Sequence, residues 1–198
     1  MKNNRFIVFE GIDGSGHTTQ AKLLADYIAE HGAPVWLTRE PTELTEAGRA
    51  IKTTLRGELP MPNDPMEFQK LYVEDRCQHV EEIKQRLADG DWVVCDRYVP
   101  STVAYGAGSG ADYQTLLELN QQFPLPDTTF FLDVSPAVAV ERVKGRGETR
   151  EFFEYEEKLS AIHQNYLRLM ENYPHMKSIN GEQGIEDIAG QVRAILGI

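Results

Sequence analysis

Short apolar runs alternate along this chain with longer segments in which apolar residues return every three or four positions. Phe6-Ile7-Val8-Phe9 is an unbroken apolar run before a glycine cluster. Such a run, bounded by turn formers, predicts a strand buried on both faces. From about His17 to His31, Ala21, Leu24, Ala25 and Ile28 recur at helical spacing, and Gly32 stands where a helix C-terminus is expected. Val35-Trp36-Leu37 reads as a second strand, and Thr42 to about Thr54 as a helix. Pro60, Pro62 and Pro65 make the next stretch a loop. A long helix follows, roughly Met66 to Ala88, closed by Gly90, and then a third strand, Trp92-Val93-Val94-Cys95.

Gly106, Gly108 and Gly110 mark a loop, followed by a helix from Tyr113 to Gln122. Thr129-Phe130-Phe131-Leu132 is a fourth strand. Pro136 to Lys144 forms a helix with proline in its first turn. Another helix spans about Phe153 to Tyr173, Met176 to Ile179 is an edge strand, and Ile185 to Leu196 a last helix. Strands and helices alternate throughout, and each crossover is long enough for a βαβ unit. The fold class is therefore α/β: three layers, α/β/α, with a five-stranded parallel sheet covered by helices on both faces. Ligands of such sheets bind beyond the carboxyl ends of the strands, so the residues after Phe9, Leu37, Cys95 and Leu132 come first.

The 198 residues suit one domain, 1–198, and the 41% hydrophobic content suits an ordinary globular core. With 20 Lys+Arg against 31 Asp+Glu, the net charge is −11. An acidic surface repels nucleic acid and anionic lipid, so neither is an expected partner. A small anionic substrate would bind only where arginines concentrate. Cys77 and Cys95 lack any CxxC or metal-ligand spacing and read as two buried, reduced thiols. The segment before Glu10 is too short for a signal peptide or a membrane span, so a cytoplasmic location is expected.

After the first strand comes Gly11-Ile12-Asp13-Gly14-Ser15-Gly16-His17-Thr18-Thr19. This is the phosphate-binding pattern GxxxxGK[ST], the P-loop, with His17 in place of the lysine. Its glycines let successive backbone N–H groups turn inward onto phosphate oxygens, and the following helix adds its positive end. Thr18 supplies a hydroxyl for Mg²⁺. The loop follows a strand and opens an amphipathic helix, the arrangement such a loop requires.

Several further stretches, in order, complete a resemblance to the thymidylate kinase family over nearly the whole chain. Thr38-Arg39-Glu40-Pro41 resembles that family's TREP segment, and Leu71-Tyr72 with Arg76 its base-binding helix. Asp96-Arg97-Tyr98, with Ser101 and Ala104-Tyr105, is the most specific match. Leu132-Asp133 and the arginine-rich run before Phe152-Phe153 complete it. The resemblance implies transfer of the γ-phosphoryl of ATP to dTMP, giving dTDP and ADP, with Mg²⁺ as the metal and a homodimer as the assembly. It implies that Gly11 to Thr19, with Arg142, bind ATP, and that Thr18 and Asp96 serve the metal. Arg97 would contact the acceptor and transferred phosphates, and Arg39 the monophosphate. Asp13 would meet the sugar 3′-hydroxyl, Tyr105 would pack against the 2′ position, and Tyr72, Arg76 and Thr102 would surround the base. A mobile lid at about 142–152 would close Arg142, Arg146 and Arg150 over ATP. Since Asp13-Gly14-Ser15 carries no arginine, the resemblance is to the subgroup whose catalytic arginines, here Arg146 and Arg150, come from the lid, with Arg97 beside them; His17, in place of the family's lysine, is a further catalytic candidate.

The residues support this chemically. Tyr72 and Arg76 lie four apart on a helix and so share a face, where a ring can stack and a guanidinium can donate. An arginine ending a buried strand can grip phosphate with two N–H groups, oriented by a neighbouring carboxylate. His17, even neutral, can donate one N–H to a phosphate oxygen, and beside a polyphosphate its pKa should rise. Thr102 and Gly106 stand where many relatives carry amide side chains near the base, which leaves open a kinase for another deoxynucleotide. The missing lysine leaves open a non-catalytic nucleotide-binding relative.

Overall fold

A computed structural model describes residues 5–145 and 152–198. Its strands are β1 (Phe6–Glu10), β2 (Val35–Arg39), β3 (Trp92–Asp96), β4 (Thr128–Asp133) and β5 (Met176–Asn180). Its helices are α1 (His17–Glu30), α2 (Glu46–Leu55), α3 (Pro65–Ala88), α4 (Val99–Gly108), α5 (Tyr113–Asn120), α6 (Pro136–Lys144), α7 (Phe152–Met170) and α8 (Ile185–Leu196). The strands form one parallel sheet in the order β2-β3-β1-β4-β5. The chain winds from β1 out to β2, returns to β3 beside β1, and then crosses to β4 on the other side. That reversal places a crevice at the carboxyl end of β1, where sheets of this kind take their ligands.

The core explains why β1 reads as unbroken apolar sequence. Successive strand side chains point to opposite faces. Phe6 and Val8 pack with Val80 and Ile83 of α3, Val103 of α4 and Leu159 and Ile162 of α7. Ile7 and Phe9 pack with Leu24 and Ile28 of α1 and Val192 and Leu196 of α8. Both faces of the sheet are thereby covered, as expected.

Three expectations need correction. The glycine run is not a loop at its start, because α4 continues through Gly106 and Gly108. Those glycines answer to packing: a Cβ at Gly106 would stand 2.8 Å from both Gln69 and Leu116, and one at Gly108 would stand 2.8 Å from Ile162. The helix expected from Thr42 begins only at Glu46, because Thr45 caps it by accepting from Gly48 N–H. Thr42 and Thr45 instead donate to the buried carboxylate of Asp75. Cys95 is buried as expected, but Cys77 lies on an exposed face of α3, and both are free thiols. The expected lid is described only up to Gly145 and from Phe152; Arg146 and Arg150 lie outside the described residues.

Candidate active site

The loop after β1 turns under the amino end of α1. Gly14 has φ of 88°, and a Cβ there would strike the Ala139 carbonyl oxygen at 2.5 Å, so only glycine fits. Arg97, directly after β3, also has a positive φ of 73°. For a side chain that bulky the conformation is strained, a feature that collects at functional positions. Its backbone N–H is tied to Phe9 of β1, and its guanidinium is thereby aimed back over the loop.

That guanidinium is heavily partnered. It donates to the Gly11 carbonyl and Ser101 Oγ, each at 3.0 Å, to Asp13 Oδ1 at 2.7 Å and to Tyr105 Oη at 3.1 Å. Another N–H reaches Nε2 of His17 at 2.8 Å. Guanidinium has donors only, so Nε2 must accept, which places the imidazole proton on Nδ1. Nδ1–H then donates to Asp96 Oδ1 at 2.5 Å, while the Thr18 hydroxyl donates to Asp96 Oδ2 at 2.8 Å. His17 is therefore neutral, with both ring nitrogens taken by the protein. Burial, then the Arg97 charge, push its pKa below the ordinary 6.5, against the pull of Asp96 and Asp13. The sequence reading, an N–H free for phosphate, needs this correction: the imidazole is turned into the Asp96–Arg97 cluster.

The carboxylates respond to the same neighbours. Burial alone would raise Asp96, but the hydrogen bonds from His17 and Thr18, with the Arg97 charge, hold it at about 2. Asp13 is likewise held below its ordinary value, because Arg97, Tyr105 and Tyr155 outweigh its burial. Glu10 escaped the sequence reading. Its oxygens accept from Tyr98 N–H, Ser101 Oγ–H and Tyr166 O–H, which braces the turn that presents Arg97. Burial raises it to about 7 in spite of those donors and the Arg97 charge.

The other end of the cleft is built on α3. Arg76 is fully buried, a position a charge holds only when paired. Its Nε and one terminal nitrogen donate to Glu40 Oε2 at 2.8 and 2.6 Å. It also donates to Thr102 Oγ1 at 2.8 Å and to Asn120 Oδ1, and lies over the rings of Tyr98 and Phe123. Glu40 further pairs with Nδ1 of His79 at 2.9 Å. Tyr72, one turn before Arg76, is half-buried on the same face. This arginine is thus a packed charge at the cleft wall.

All seven acceptor-site residues named from sequence line a single cavity: Asp13, Arg39, Tyr72, Arg76, Arg97, Thr102 and Tyr105. Arg39 is the exposed member, its guanidinium 3.7 Å from Asp96. Of the residues expected on the ATP side, Gly14, Ser15, Gly16, Thr19 and Arg142 line a second cavity against α1. Arg142 donates to the carbonyls of Gly181 at 2.9 Å and Gly14 at 3.4 Å. Ile12 instead lies wholly in the core, and Gly11, Asp13, His17 and Thr18 face the first cavity or the cluster around Arg97. Gly181, Gln183 and Ile185 complete the second wall and carried no motif that sequence reasoning could use.

The thymidylate kinase family model matches residues 9–192. Among curated relatives, a probable thymidylate kinase of Pyrococcus horikoshii is 38% identical over 195 residues, covering 96% of this chain and 95% of the relative. A probable thymidylate kinase of Methanocaldococcus jannaschii is 35% identical over 192 residues, covering 97% and 95%. A thymidylate kinase of Carboxydothermus hydrogenoformans is 36% identical over 205 residues, covering 97% and 96%.

Proposed function

The chain belongs to the thymidylate kinase family, and we propose that it transfers the γ-phosphoryl group of ATP to dTMP, giving dTDP and ADP. The observation that carries this reading is the single cavity that gathers all seven acceptor-site residues beside the phosphate loop. In the reaction an oxygen of the dTMP phosphate bonds to the γ-phosphorus. The bond from that phosphorus to the β,γ-bridging oxygen breaks, and ADP leaves with the electron pair. Such transfer needs positioning and charge stabilisation more than covalent help from the protein.

Arg97 and Arg39 sit at the phosphate end of the cavity and neutralise the acceptor phosphate, Arg97 following the phosphoryl group as it moves. Asp13 and Tyr105, hydrogen-bonded to each other at 2.9 Å, take the sugar edge. Tyr72 stacks on the base, and Arg76 and Thr102 donate to it. On the donor side, Gly14, Ser15, Gly16, Thr19 and Arg142 bind ATP. Arg146 and Arg150, which lie outside the described residues, keep the lid role that the resemblance implies.

Thr18 and Asp96 offer one hydroxyl and one carboxylate side by side, a hard oxygen pair of the kind Mg²⁺ uses together with nucleotide phosphates. When bound, Mg²⁺ neutralises the β- and γ-phosphate charge. His17 acts on that pair: its Nδ1–H fixes the orientation of Asp96, and its Nε2 holds Arg97. In this reading the imidazole is a positioning residue in place of a direct phosphate ligand. The enzyme works as a homodimer in the cytoplasm, with no nucleic-acid or membrane partner.

A coupled ADP-release assay over dTMP, dUMP, dCMP, dGMP and dAMP tests the assignment. The largest kcat/KM is expected with dTMP. Turnover of another monophosphate in preference to dTMP moves the assignment within the kinases. ATP binding without transfer to any of them leaves a nucleotide-binding protein.

A further inference from the structure

One polar side chain in the acceptor cavity is unaccounted for by the reaction as described. Gln69, three residues before Tyr72 on α3, lines the cavity and is only 4% exposed. Its amide oxygen is buried and has no hydrogen-bond partner among the described residues. Leaving a buried acceptor without a donor is costly, so its retention at a cavity wall calls for a ligand.

The neighbours show what that ligand must offer. The base of dTMP presents an edge of carbonyl oxygen, N–H and carbonyl oxygen. Arg76 has donors only and suits a carbonyl, and the Thr102 oxygen already accepts from Arg76, leaving its hydroxyl hydrogen to donate. The ring N–H needs an acceptor. Among the described residues, two carboxylates line the cavity: Glu40 is held by Arg76 and His79, and Asp13 lies at the other end with Arg97 and Tyr105, where the sugar is assigned to it. Gln69 Oε1 remains. Its packing fits the role, because Gly106 is the residue against which the amide stem lies: a Cβ there would come within 2.8 Å of Gln69 Cγ and 3.1 Å of Cδ.

We propose that Gln69 is a specificity-determining residue that accepts the ring N–H of a pyrimidine-2,4-dione base and so separates thymine from cytosine. The inference rests on the dTMP kinase reading. Cytosine carries an unprotonated ring nitrogen at that position and an amino group in place of one carbonyl. It would set acceptor against acceptor at Gln69, or donor against the donors of Arg76. Sites built on such polar matching reject the wrong partner strongly, because a buried group is left unpaired.

The test is steady-state kinetics of the full chain and Gln69→Leu with dTMP, dUMP and dCMP at saturating Mg-ATP. Leucine keeps the volume and removes the amide. KM for dTMP and for dUMP, which share the edge, should both rise about tenfold, the scale of one hydrogen bond. KM for ATP should not change, and the preference for dTMP over dCMP in kcat/KM should fall by about the same factor. A packing defect would weaken all three substrates alike and keep the preference. If Gln69→Leu does not fold, Gln69→Ala is read by the same measures. An active wild type whose variants keep both KM and preference overturns the inference alone. A wild type inactive on dTMP overturns the inference and the functional reading together.

Discussion

The two ends of the acceptor cavity use the same chemistry, an arginine held by carboxylate and hydroxyl oxygens, to opposite purposes. At the base end, Arg76 is sealed among Glu40, Thr102, Asn120 and two rings, and the partner carboxylate is itself tied to His79. Both charges there are almost fully buried. At the phosphate end, Arg97 leans on Asp13, which is partly open to solvent, and on the lone pair of a neutral imidazole. A charge–charge pair in a dry wall is a fixed part of the fold. A guanidinium lent to a neutral ring and a half-exposed carboxylate can trade those partners for phosphate oxygens, which bind it more strongly. On the proposed assignment, the base end is thus a rigid template and the phosphate end a set of exchangeable bonds.

The difference can be broken first at Arg76. Arg76→Met should destabilise the protein by about 3–5 kcal/mol, because it strands the Glu40 charge in the interior. Arg76→Met with Glu40→Gln should recover much of that loss. Both variants should raise KM for dTMP more than KM for ATP. Chemical denaturation and kinetics measure the two effects, and an Arg76→Met protein of unchanged stability would show that the pair is not a fixed element.

Arg97→Gln should behave in the reverse way. Folding stability should change by less than in Arg76→Met, since the partners of Arg97 stay hydrogen-bonded to one another or to water. The kcat should fall by roughly 10²–10³-fold, the loss expected for one preorganised donor on the transferring group. Unchanged kcat would remove Arg97 from the phosphate site.

The finest test concerns His17. Its depressed pKa means that the fold favours the neutral ring, so stability attributable to it is present above pH 6.5 and declines as pH falls below that value. Between about pH 7 and pH 9 the imidazole stays neutral, and kcat should show no decline that belongs to it. His17→Ala should lower kcat by about 10-fold across that range, through loss of Asp96 and Arg97 orientation. A wild-type kcat that falls as pH rises through this window, with the fall abolished in His17→Ala, would mean that the nucleotide's phosphate charge raises the ring's pKa into the window.

Much of this was legible from sequence, for a physical reason. Strands buried on both faces are continuous apolar runs, and amphipathic helices repeat their apolar positions every turn. The order of elements therefore emerged from local pattern, with boundaries off by a few residues. The phosphate loop and the Asp96-Arg97-Tyr98 segment were equally visible, because their chemistry depends on residues adjacent in the chain. The failures share the opposite property. Gly106 and Gly108 looked like breakers because their reason for being glycine lies on other helices, at Gln69, Leu116 and Ile162. Glu10, Gln69 and the wall from Gly181 to Ile185 carry no local signature. Sequence alone thus determined the parallel α/β class and the residues that meet at the strand ends. Only the tertiary structure decided which arginine is sealed in the wall and which is not, which nitrogen of His17 carries the proton, and which acceptor in the cavity is left without a donor among the described residues. Those properties are set by contacts between segments tens of residues apart, as between His17 and Asp96, and no local pattern encodes a partner at that distance.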